Sequence, residues 1–120
     1  MVTLYSQTNL PPLVATSLHI RDVKEQFYSH EIVLLVANVN YTVIYLQCGK
    51  VIMSSKNLKK YEAMLCGIGF VRIHKSTIVN PVFLDNQTPT TLNEIKMLNG
   101  KVVRVSRRRR QNLAQNKIMN

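Results

Sequence analysis

At 120 residues the chain is sized for one compact domain and leaves little room for a second with its own core. Hydrophobic residues at 46% and charged residues at 18% exclude wholesale disorder. The 16 Lys and Arg outweigh the 6 Asp and Glu for a formal charge of +10, which points to a polyanionic partner: a polyphosphate backbone or an anionic membrane surface. The longest apolar run, Ile32 to Ala37, is far short of the roughly 20 residues that cross a bilayer. Membrane insertion is therefore not expected, and nucleic acid is the favoured partner.

In chain order, residues 1–16 hold polar residues and the Pro11-Pro12 pair without clear periodicity, and are predicted to form a flexible arm ahead of a domain over 17–120. Leu18 to Ile20 is a candidate short strand. Ile32 to Val36 is a continuous apolar run of strand length, as expected of a strand covered on both faces. Tyr41 to Gln47 and Val51 to Ser54 flank Cys48-Gly49-Lys50 and read as a hairpin, with Gly supplying the turn. The period then changes. Leu58, Tyr61, Met64 and Leu65 form one apolar stripe of a helix that Ser54 or Ser55 can cap and Gly67 can end.

Phe70 to Ile73 is predicted as a strand, and Ser76 to Asn80 as a loop or single turn ahead of the helix-breaking Pro81. Thr91 to Leu98 and Lys101 to Val105 flank Asn99-Gly100, a strong short-range hairpin signal. Beyond them, Ser106 is a candidate N-cap for a C-terminal helix over Arg107 to Ile118. The order predicts a mainly β domain of antiparallel hairpins with one short helix and this candidate terminal one.

Three segments can carry chemistry. Ser106 is followed by Arg107, Arg108, Arg109 and Arg110. Clustered guanidinium groups repel one another and are disfavoured at the start of a helix, so an anion such as phosphate must offset them; Arg also reads guanine in the major groove. In Phe70 to Asn80, apolar residues can anchor a loop, while Arg72, His74, Lys75, Ser76 and Thr77 supply donors for phosphates or base edges. His74 there reads as readily as a structural histidine holding the loop, and Asn80 as a turn former before Pro81. Asn38, Val39, Asn40 and Tyr41 lie between two strands, where Asn chiefly shapes the turn and can add a base contact.

No catalytic constellation is visible: the acids are scattered, the histidines separated, and no Gly-rich phosphate loop is present, so an enzyme is not expected. Nor is a cofactor or metal. Cys48 and Cys66 lie in no CxxC or Cys/His cluster. The start of the chain lacks a secretory signal, which makes reducing cytoplasm the expected compartment.

Four blocks resemble the LytTR DNA-binding domains in order and spacing: Glu31 to Tyr41, Ser55 to Leu58, Gly69 to Asn80, and Leu98 to Arg107. The most specific are Phe70-x-Arg72-x-His74-x-Ser76-x-x-Val79-Asn80 and the closing Val105-Ser106-Arg107. The resemblance covers roughly residues 18–116 and implies an elongated, antiparallel β fold. In that picture loops enter successive major grooves, and two copies bind direct repeats in double-stranded DNA. It places contacts near Asn40 and Tyr41, at Lys75 and Ser76, and at Arg107 and Arg108, with His74 and Asn80 supporting the loop. Val36 and Val39 stand where the family often has an acid and Gly, and Arg109 and Arg110 extend the basic end. Too few residues precede Leu18 for a receiver domain. The expectation is therefore a response-regulator-like transcription regulator, either standing alone under a partner protein or its own abundance, or cut from a longer chain. The competing reading is a basic interaction module that binds an acidic protein or an anionic surface.

Overall fold

The structure, a computed structural model, describes residues 17–22, 25–86 and 93–109. The predicted arm over 1–16, Arg110 and most of the candidate C-terminal helix lie outside the described residues. The elements are β1 (His19–Arg21), β2 (Gln26–Tyr28), β3 (Ile32–Asn38), β4 (Tyr41–Leu46), β5 (Val51–Ser54), α1 (Leu58–Leu65), β6 (Val71–His74), β7 (Thr77–Val79), β8 (Glu94–Lys96) and β9 (Val102–Arg104). Strands β5-β4-β3-β7-β6 form a five-stranded sheet, and β1-β2 and β8-β9 form separate two-stranded hairpins; every pairing is antiparallel.

The apolar run of β3 is covered on both faces, and a register shift between Ile32 and Leu34 breaks its alternation. Ile32 and Leu35 face one core, shared with Ile20 and Phe27 of the first hairpin and Leu58, Tyr61 and Leu65 of α1. Val33 and Leu34 face the other, shared with Val71, Ile73 and Val79 and closed by Ile95, Met97 and Val105 from the last hairpin. The central sheet is thus sandwiched between a helix with a hairpin on one side and a second hairpin on the other.

The helix follows its predicted stripe but not its predicted ends. Asn57 is the N-cap, its side chain accepting from Lys60 N–H at 2.9 Å. Ser54 instead stays in β5, its hydroxyl sharing a buried 2.7 Å hydrogen bond with Tyr61. At the other end the left-handed residue is Gly69, φ 112°, which closes a 3-10 turn over Cys66–Ile68; Gly67 lies inside that turn. Two strands were not anticipated. Gln26–Tyr28 pairs with β1, and Thr77–Val79, expected as loop, is the buried strand β7 that joins β3 to β6. Its three residues are too short a run to show a strand period, but Ile78 and Val79 fill one core each.

Candidate nucleic-acid interface

Strand pairing brings three loops to one edge of the central sheet. The two-residue turn Val39-Asn40 closes β3-β4, with Asn38 opposite Tyr41 as the last pair. Beside it, Lys75-Ser76 closes β6-β7, and Ala37 N–H donates to Ser76 C=O at 2.8 Å across the gap. The two turns are separated by roughly two strand spacings, about 10 Å. On the far side of β6, Ser106 N–H donates to Ile73 C=O at 2.8 Å, which delivers the Arg run to the same edge. Lys75 and Arg108 consequently border one open cleft of about 270 Å³, together with His74, Ser106 and Arg109.

Each turn has an internal scaffold. His74 Nδ1 accepts from Ser76 N–H at 3.2 Å and lies 2.9 Å from Ser76 Oγ. With Nδ1 accepting, the Nε2 position carries the ring proton. Ser106 caps a turn over Arg107–Arg109, its Oγ accepting from Arg109 N–H at 3.2 Å. Lys75, Arg107 and Arg108 are exposed. Among the described residues the ion pairs are Lys50–Glu25 and Arg72–Glu62, so neither neutralises these three cations. Asn40 is exposed and Tyr41 is half-exposed at the hairpin tip.

Arg72 is not a free donor for a ligand. Alternation in β6 buries Val71 and Ile73 in the second core and turns Arg72 toward α1. There its guanidinium donates to Glu62 Oε1 at 2.5 Å, to His74 C=O at 3.1 Å and to Lys75 C=O. One planar fork therefore fastens the Lys75-Ser76 turn to the helix. The alternation of β6 could have signalled the inward direction; the two carbonyls could not be read from sequence. Thr77 is likewise buried.

Asn80 lies at the opposite end of β7 from Lys75. It is 7% exposed, its side chain donating to Ile32 C=O at 3.0 Å and accepting from Val82 N–H at 3.2 Å. It supports the Pro81–Phe83 turn rather than the basic one. The Ser76 hydroxyl, expected as a ligand donor, is engaged with His74. Arg110 is outside the described residues.

Cys66 is half-buried; desolvation first, and Glu62 second, push its thiol above the ordinary value of 9.0. No helix among the described residues is long and apolar enough to cross a membrane. No group of three or more His, Cys, Asp or Glu among them could hold a metal ion.

An antiparallel β scaffold that aligns three loops on one edge, two of them basic, has the build of a nucleic-acid-binding domain. The chain belongs to the LytTR family, since the family model, described as the LytTr DNA-binding domain, matches residues 22–117. This is a family of DNA-binding domains, not of enzymes. Among solved structures, the LytTr DNA-binding domain of a methyl-accepting/DNA response regulator from Bacillus cereus is similar, with a TM-score of 0.65 at 20% identity. The match covers 84% of this chain and 95% of that one, and it shows a shared fold. No curated protein matches the sequence.

Proposed function

We propose that the chain is a sequence-specific regulator of transcription that inserts the loops of this edge into the major groove of double-stranded DNA. The observation that carries the reading is the shared cleft of Lys75 and Arg108, residues separated in sequence and joined only by the pairing of β6 with its neighbours. A duplex running along the edge can meet both at once, whereas cations on opposite faces would need two duplexes. Arg107, Arg108 and Arg109 supply guanidinium forks for phosphates or guanine edges, Lys75 a mobile point charge, and Asn40 and Tyr41 a third contact. His74 and Arg72 act through the Lys75 turn as positioning residues. Two copies on direct repeats would lengthen the footprint, a partner protein would control occupancy, and the compartment is the cytoplasm.

Selection of bound sequences from random duplexes, repeated at two salt concentrations, tests the reading. The expected result is a short consensus with spaced half-sites, whose affinity falls with salt by a slope near 0.9 for each phosphate contacted. Arg108→Ala should relax the consensus at one position, by about 1–3 kcal/mol, while Lys101→Ala, at the far end of β9 with its ammonium 4.4 Å from the Tyr45 ring centre, should leave affinity nearly unchanged. Retention of an acidic protein or anionic vesicles, with no sequence enriched, would favour the interaction-module reading instead.

A further inference from the structure

Val39 breaks two local rules at the tip of the β3-β4 hairpin. Its φ of 56° makes it the one non-glycine residue with positive φ among the described residues. Two-residue hairpin turns place Gly, Asn or Asp at such angles, because a branched Cβ crowds the backbone there. Val39 is also 91% exposed, the most open of the large apolar side chains in the described residues, where Val82 follows at 68%. Neither backbone preference nor core packing in the free protein accounts for valine at this position. Strain and exposed apolar surface at a loop tip are characteristic of positions whose compensation comes from a ligand.

The surroundings identify that ligand. The tip is tied to the Lys75-Ser76 turn by Ala37 N–H donating to Ser76 C=O at 2.8 Å, and that turn shares its cleft with Arg108. Val39 therefore projects from the same edge as the unpaired cations. In the major groove of a duplex, the apolar group displayed beside the donors and acceptors is the C5-methyl of thymine. We propose that Val39 is a specificity-determining residue that packs its two methyl groups against a thymine methyl, making this domain prefer a T·A pair under the hairpin tip. The inference rests on the DNA-binding reading and refines it. It adds an apolar contact to an edge otherwise described by its charges.

The test uses the full chain and a duplex obtained by selection, in which each thymine is replaced in turn by deoxyuridine. This removes the C5-methyl and leaves base pairing intact. For the unaltered protein, one or two positions should lose about fourfold in affinity, the equivalent of one buried methyl. In Val39→Ala the penalty at those positions should shrink, and in Val39→Gly it should vanish, giving a non-additive cycle that marks direct contact. Val39→Gly also relieves the backbone, so its melting temperature should rise and a loss of binding could not be assigned to unfolding. The same uracil penalties in Val39→Gly as in the unaltered protein would overturn the inference and leave DNA binding standing. An absence of any selected duplex would overturn the DNA-binding reading and this inference together.

Discussion

The fork of Arg72 permits a quantitative test of how the Lys75 turn is held. In Arg72→Met, three hydrogen bonds from a guanidinium whose side chain is 16% exposed are lost, and Glu62 and the carbonyls of His74 and Lys75 lose their donor. Charge-assisted hydrogen bonds contribute about 1.5–3 kcal/mol each when a buried partner is stranded. Lys75 is exposed and the Glu62 side chain is 34% exposed, so water can recover much of that loss. A total near 2–3 kcal/mol follows, below the ~5–15 kcal/mol typical of whole domains. With a urea slope of ~2 kcal/mol per molar, the unfolding midpoint should fall by about 1–1.5 M. Glu62→Gln keeps an oxygen that can accept from Arg72 and removes only a part-exposed charge, so it should cost less than about 1 kcal/mol. Arg72→Lys should recover a fraction, because one ammonium cannot span the helix and both carbonyls. Binding to the selected duplex, measured where each variant is fully folded, should weaken most in Arg72→Met. Equal destabilisation by Glu62→Gln and Arg72→Met would show that the ion pair, not the grip on the turn, carries the effect. An Arg72→Met midpoint unchanged from the parent would refute the reasoning altogether.

Asn80→Ala strands the Ile32 carbonyl and Val82 N–H in a buried site and should cost about 2 kcal/mol in urea unfolding, with duplex affinity unchanged in the folded protein. A loss of affinity would mean that the far end of β7 belongs to the interface. Tyr61→Phe removes the partner of the buried Ser54 hydroxyl and should cost about 1–2 kcal/mol at neutral pH. Burial also pushes the Tyr61 hydroxyl above 10.0 and the Cys66 thiol above 9.0. The folded state therefore holds both protons more tightly than the unfolded one. Their contribution is complete below about pH 9 and declines as pH rises through the alkaline range. Melting curves from pH 7 to 11 should fall less steeply for Tyr61→Phe, and parallel curves would contradict this. Thiol labelling of the native protein should modify exposed Cys48 first and half-buried Cys66 later; the reverse order would contradict the burial of Cys66 at the end of α1.

Much of the scaffold was legible because its signals are local. The run Ile32–Val36, the β-branched pair of segments around Cys48-Gly49-Lys50, the stripe Leu58-Tyr61-Leu65 and the Asn99-Gly100 turn each lie within one element, and each is where its pattern predicts. The helix ends shifted because Ser54, Ser55 and Asn57 are all competent caps, and competition with β5 pairing selected Asn57. Strand β7 was hidden because three residues between a turn and Pro81 are too few to show a period, although Thr, Ile and Val all favour strands; pairing with β3 and β6 fixes them. Candidate ligand residues were recognised by chemical type, which does not reveal direction. Lys75 and Arg108 point into the open cleft, whereas Arg72, Thr77 and Asn80 are spent on the protein itself.

Composition and local periodicity alone determined a basic, mainly β chain with arginines following its last strand, because charge and side-chain alternation are properties of neighbouring residues. Tertiary structure decided which loops share an edge. The pairing of β3 with β7 and the bond from Ser106 to Ile73 join segments far apart in the chain. The free energy of such pairing depends on both partners and on the core between them, a quantity no single segment contains.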